Sequence, residues 1–322
     1  MSDAATPAAP ATWAGRVLGV VAGTYIVERE EGAPVECVLA GRLKQGPVDR
    51  VVTGDRVTAE LLEDGSARII ERLPRRSRLA RRAGGGRGLQ VIAANLDGVA
   101  AVFAAARPEP DLAMLDRLLV LAELSGLAAF IVVNKMDLAG DVAGPDDPLA
   151  PFRAARDAGY PLFPTSARTG RGLDALAGTL SGRVTVMAGP SGTGKSSLLN
   201  ALVPEAARRV GAVSERTGRG RHTTVNATLV PLGGGGYLGD TPGLQVAGLP
   251  DPDPSEIGDA FPELVAVAEG CRFADCRHRS EPECAVRRAV ERGDVARSRY
   301  DAYLGLLREA EEAAVPGRRG RP

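Results

Sequence analysis

Apolar residues between positions 15 and 73 fall into five short runs, RVLGVV, TYIVERE, VECVLAG, DRVTAELL and ARIIERL, separated by Gly, Pro and Asp. Short β-branched runs between turn formers mark strands, and five of them in about 60 residues predict a small all-β barrel, with the OB-fold as one candidate. The period then changes. Apolar strands at 97–106, 128–134, 160–165 and 183–188 alternate with helical patterns at 111–125, 153–158, 173–180 and 195–202, as in a parallel α/β sheet. A strand pair at 225–232 and 237–240 follows, turned by the glycines of 233–236. Beyond 251 a Pro/Asp-rich connector leads to a Cys/His cluster and helical stretches at 284–292 and 296–313. Residues 1–12 are Ala/Pro-rich without a period and read as a disordered tail.

Composition sharpens this outline. With 44% hydrophobic residues in 322, each segment can build a core. No apolar stretch approaches the ~20 residues of a membrane span, and no charged-then-apolar leader opens the chain, so a cytoplasmic protein without membrane association is expected. Three of the four cysteines cluster at 271, 276 and 284, which favours metal ligation over a disulfide framework. The formal net charge is zero, so attraction to nucleic acid must come from local excess. Residues 72–88, RLPRRSRLARRAGGGRG, carry seven arginines and no acid.

The first chemical motif is GPSGTGKS at 189–196, between an apolar strand and a helix. It matches G-x-x-x-x-G-K-[ST]. Gly189, Pro190, Ser191, Gly192, Thr193 and Gly194 would close backbone N–H groups around phosphates at the positive end of the helix; Lys195 would reach the β/γ-phosphates and Ser196 would ligate Mg²⁺, with Ser197 just behind. A second motif selects the base. NKMD at 134–137 resembles the guanine-reading N-K-x-D segment of GTPases. The Asp137 carboxylate can accept from both guanine N1–H and its exocyclic amine, which adenine does not offer, and such a site rejects the wrong base by roughly 10⁴-fold or more. Asn134 would pin the loop and bond the base, and the Lys135 stem would cover its face. Ser166 and Ala167, in the TSA segment after the strand PLF, resemble the second guanine loop, with the Ala167 N–H offered to the base oxygen. DTPG at 240–243 matches D-x-x-G, with Asp240 on Mg²⁺ through water and the Gly243 N–H at the γ-phosphate.

The order is rotated. GTPases ordinarily read the base downstream of D-x-x-G, but no lysine follows Lys195, so the domain is circularly permuted and the chain continues from the D-x-x-G switch into the C-terminal segment. Between them lies VSERTGRGRHTT, 213–224, in the place of the first switch. Thr223, or its neighbour Thr224, is expected to complete the Mg²⁺ shell. Leu244 stands where small GTPases carry a water-orienting Gln, so His222 is the candidate to position or deprotonate water, with Lys195 and Thr223 beside it in the catalytic set. Finally, Cys271, Cys276, His278 and Cys284 form a Cys₃His set suited to structural zinc, which contributes roughly 10–16 kcal/mol in finger peptides.

Taken together, a small barrel, a permuted GTPase with GRHTT in its first switch, and a C-x4-C-x-H-x5-C module resemble the RsgA (YjeQ) family of small-ribosomal-subunit-dependent GTPases. The resemblance implies an OB-fold at 13–73, slow turnover stimulated by the small subunit, a role in its late maturation in the cytoplasm, and hydrolysis assisted by His222. The expected fold is multidomain: a tail at 1–12, an OB-type barrel at 13–75, the permuted P-loop GTPase domain at 76–250 and a helical zinc-binding module with a basic tail at 251–322. Partners would be GTP/GDP and the small ribosomal subunit with its rRNA, bound by a monomer. Because the barrel has few aromatics, the arginines of 72–88 are the expected phosphate contacts. A GTP-sensing RNA-binding module with little intrinsic turnover is the alternative; Asp137 argues against an ATPase or kinase.

Overall fold

A computed structural model describes residues 11–29, 32–43, 50–82, 89–139, 147–204, 227–240 and 253–314. The N-terminal strands are β1 (Thr12–Val21), β2 (Thr24–Val27), β3 (Val35–Leu39), β4 (Arg56–Leu61) and β5 (Ala67–Arg72). They pair in the order β1-β2-β3-β5-β4 and close through β1–β4, so no open edge remains between first and last strand. Val17, Val20, Tyr25, Val27, Val57 and Ile69 fill the interior. Strand β1 departs from simple alternation. Its residues 17–20 are all buried, because Val17 and Val20 face the barrel interior while Leu18 joins the main core.

The arginine-rich segment is not a linker. Residues 78–82 and 89–94 pair as a hairpin, β6 (Arg78–Arg82) and β7 (Leu89–Ala94), whose Leu79 and Ala93 enter the main core. Arg75 donates Nε to Asp55 Oδ1 at 2.7 Å, with Asp55 wholly buried, and Arg76 pairs with Asp97. These two arginines brace the barrel and the sheet: Arg75 is held on the buried Asp55 carboxylate, whereas Arg76 keeps most of its side chain exposed.

The central sheet holds β8 (Gly98–Ala104), β9 (Ala128–Asn134), β10 (Leu162–Pro164), β11 (Val184–Ala188) and β13 (Tyr237–Asp240) in the parallel order β10-β9-β8-β11-β13, with β12 (Thr228–Pro231) antiparallel beside β13. Every residue of β8 is buried, as a strand covered on both faces must be. Ala100 and Val102 meet α3 (Leu173–Leu180) and α4 (Lys195–Leu202), while Val99, Ala101 and Phe103 meet α1 (Leu112–Leu124) and α2 (Arg153–Asp157). The barrel continues this sheet through the pair Gly19–Thr228.

Beyond 253 the expected connector is helical: α5 (Glu256–Asp259) and α6 (Pro262–Ala268), the second opened by Pro262 at its first turn, where a missing N–H costs nothing. Then follow α7 (Ala285–Arg292) and α8 (Arg297–Ala314). Arg299 of α8, 2% exposed, donates NH1 to Asp116 of α1 at 2.5 Å and Nε to Glu263 of α6 at 2.6 Å. Its guanidinium also lies over Phe261 at 4.7 Å. Burial raises the Asp116 carboxyl, and Arg299 opposes that rise. Arg299→Met would leave two carboxylates buried together and should cost about 3–5 kcal/mol in urea unfolding; the deficit should shrink as pH falls, because protonation relieves the stranded acids.

Candidate nucleotide site and metal centre

The P-loop follows from its flanks. Five buried residues of β11 lead into 189–194, and α4 begins at Lys195. Gly189 and Gly194 sit at φ +145° and +93°, and a Cβ on Gly189 would come within 2.1 Å of the Val102 carbonyl. Thr193 Oγ1 donates to the Pro190 carbonyl, and Gly192 is also left-handed. Lys195, 6% exposed, donates Nζ to the Gly189 and Pro190 carbonyls at 2.9 Å each, two of the three hydrogen bonds an ammonium can give. Burial lowers its pKa and Asp240 opposes that. Ser196 Oγ lies 3.5 Å from Asp240 Oδ2 across the helix start, bringing the expected Mg²⁺ partners together. Ser191 and Ser197 are exposed beside them.

The base-reading segment meets this loop through one side chain. Asn134, buried at the end of β9, donates Nδ2 to the Thr193 carbonyl at 3.0 Å and accepts the Ala167 N–H at 3.1 Å on Oδ1. The Ala167 N–H, expected on the base oxygen, therefore bonds Asn134 here. A Cβ on Gly194 would fall 2.4 Å from Asn134 Nδ2, so the glycine and the asparagine require each other. Lys135, at φ +63°, turns the chain so that the Met136 N–H reaches the Thr165 carbonyl, and its Nζ donates to the Arg107 carbonyl.

Asp137 Oδ1 accepts the Ser166 hydroxyl at 2.6 Å, and Oδ2 faces Arg168 Nε at 3.1 Å. The Ser166 bond is the leading reason its pKa sits below the ordinary aspartate value. Arg168 escaped the sequence reading although it directly follows the TSA segment. His222, Thr223, Thr224, Gly243 and Leu244 lie outside the described residues.

The second site is the Cys₃His group. The ligand atoms of Cys271, Cys276, His278 and Cys284 all lie within 4.8 Å of one another. Cys271 and Cys284 sulfurs are 3.9 Å apart, and His278 Nδ1 is 3.5 and 3.4 Å from them. A tetrahedron with Zn–S of about 2.3 Å and Zn–N of about 2.0 Å has edges of about 3.5–3.8 Å, so the donors fit such an ion through Nδ1. The Ala285 N–H bonds the Cys271 sulfur, and Cys284 caps α7. Burial holds His278 below its usual pKa, favouring the neutral, ligating imidazole. Tyr300 and Tyr303 of α8 donate to the His278 and Arg277 carbonyls, which sequence inspection had not linked to the cluster.

Residues 72–250 match the family model described as RsgA GTPase. The chain belongs to the RsgA GTPase family. A small ribosomal subunit biogenesis GTPase RsgA of Gemmatimonas aurantiaca is 46% identical over 92% of this chain and 96% of its own length. One from Moorella thermoacetica is 42% identical with the same coverage. Among solved structures, the crystal structure of YjeQ from Thermotoga maritima superposes with a TM-score of 0.74 at 35% identity, covering 94% of this chain and 99% of that one. YloQ, described as a circularly permuted GTPase, gives 0.72 at 28% identity, covering 95% and 97%. The chain is thus a GTP-hydrolysing enzyme of permuted GTPase fold with an OB-like barrel. Membership accounts for the rotated motif order and for the company of barrel and Cys₃His group. No helix among the described residues is long and apolar enough to cross a membrane.

Guanine binding should resist acid as long as Ser166 holds Asp137 ionised. A depressed pKa keeps the acceptor charged down to its own value, so Ser166→Ala should move the acid loss of GDP affinity to higher pH, readable by titration calorimetry between about pH 3 and 5. Gly194→Ala should weaken GDP binding by roughly tenfold or more, since clash and strained backbone act together.

Proposed function

We propose that this protein hydrolyses GTP to GDP while bound to the small ribosomal subunit and its rRNA, is stimulated by that subunit, and serves its late maturation in the cytoplasm as a monomer. The observation that carries the reading is the joining of Asp137, Asn134 and the P-loop into one pocket, in a chain whose relatives are named for small-subunit biogenesis along nearly their full length. The working units are the barrel at 13–75, the GTPase domain at 76–250 and the zinc module at 251–322, behind a tail at 1–12.

Within the pocket Asp137 reads guanine N1–H and its amine, Asn134 holds the three loops in register, and the Lys135 stem covers the base. The 189–194 amides and Lys195 bind the phosphates. Ser196, Asp240 and Thr223 would hold Mg²⁺, which withdraws charge from the phosphate oxygens when bound. Gly243 senses the γ-phosphate, and His222 positions the attacking water in the place Leu244 cannot serve. Cys271, Cys276, His278 and Cys284 hold a structural zinc ion.

Adding purified small subunits should raise GTP turnover well above the intrinsic rate. His222→Ala should remove that stimulation while leaving GDP affinity within about twofold, since the imidazole touches water rather than nucleotide; an equally stimulated variant refutes its role. Metal analysis should return about one zinc per chain, and Cys271→Ser should lose it with a marked fall in thermal stability.

A further inference from the structure

The barrel loop 51–55 holds the barrel to the GTPase sheet at several points. Gly54, at φ +88°, brings its backbone so close to the Ala94 carbonyl that a Cβ would lie 2.0 Å from it. Asn95 Nδ2 donates to the Gly54 carbonyl at 3.0 Å, and Arg75 fixes Asp55. Between these, Thr53 is 1% exposed. Its carbonyl accepts the Ala94 N–H, and its Oγ1 donates to the Ala227 carbonyl at 2.6 Å.

That last contact lies one residue ahead of β12. Thr228, next in the chain, stands opposite Gly19 of the barrel on one side and Asp240 of β13 on the other, and Asp240 is in turn opposite Met187 of β11. A single row of backbone pairs thus runs from barrel to Mg²⁺ carboxylate. Among the described residues β1 pairs with β12 at Gly19–Thr228 alone, so a second fastening helps the row keep its register. A buried carbonyl such as that of Ala227 also needs a donor, and the Thr53 hydroxyl supplies it.

We propose that Thr53 is a positioning residue: through Ala227 and Thr228 it holds Asp240 in register with the barrel, and so sets the rate reached when the small subunit is bound. This rests on the functional reading above. The Thr53 main chain is tied to the β6–β7 hairpin and its side chain to β12. Thr53 therefore fixes Ala227, and with it the start of β12, against β7, and Asp240 lies opposite the next residue along. A hydroxyl that merely glues two domains would affect stability and leave the stimulated rate alone.

The test uses the full chain, with small ribosomal subunits titrated at saturating GTP and GTP titrated at saturating subunits. Thr53→Val, which keeps the shape and removes the donor, should retain intrinsic turnover within about twofold and lose roughly fivefold in stimulated kcat. The KM for GTP and the subunit concentration at half-stimulation should not move, and Thr53→Ser should restore the rate. Full stimulation of Thr53→Val overturns the proposal. So does a loss confined to subunit affinity, or an equal loss in Thr53→Ser. A wild-type chain that small subunits do not stimulate refutes the functional reading itself, a different result. Should Thr53→Val fail to fold, Thr53→Ala supplies the comparison: it should show the same loss of stimulated kcat, and full stimulation overturns the proposal.

Discussion

The nucleotide site depends on one buried amide. Asn134 is both donor and acceptor, and it spends the donor on Thr193 and the acceptor on Ala167. Three loops from different parts of the chain are thereby held at fixed spacing, and the orientation of the amide is set because each end meets a partner of the opposite kind. Everything else in the pocket follows from that spacing. Gly194 must lack a Cβ because Asn134 stands there, Lys195 starts its helix one residue later, and Asp137 is carried to Ser166 by the turn that begins at Lys135.

A comparable constraint holds the C-terminal module. Arg299 satisfies Asp116 and Glu263 at once, so α1, α6 and α8 meet around one buried guanidinium. One residue further along, Tyr300 reaches the loop of the Cys₃His group, and Tyr303 follows on the same side. Helix α8 therefore faces the GTPase domain with one residue and the metal centre with the next. In the rotated order this module comes next in the chain after the strand that ends in Asp240, and it packs on α1.

The sequence carried the site further than the architecture around it. Strands β9 and β13 and helices α3 and α4 begin and end where periodicity places them, because each carries a buried apolar stripe whose period is unambiguous. The hairpin β6–β7 was hidden because its apolar residues are few and its arginines read as phosphate contacts; what braces it is Asp55 and Asp97, which lie in other segments and are visible only in three dimensions. Helices α5 and α6 were masked by their prolines. The role of Asn134 as a clasp on the P-loop, and of Arg299 between two acids, likewise depends on partners 59 and 183 residues away.

The pairing of Gly19 with Thr228 has a consequence for synthesis. These positions are 209 residues apart (228 − 19), and at roughly 5–20 residues per second the ribosome needs about 10–40 s to travel from one to the other. The barrel can close on itself well before that, yet the β1 edge at Gly19 has no partner until β12 emerges. An unfinished chain therefore carries an unpaired stretch of β1 edge while the 134–137 loop and the P-loop are already made. The seam closes only as the strand ending in Asp240 is completed, so nascent chains acquire a capped sheet and the Asp240 carboxylate at the same moment.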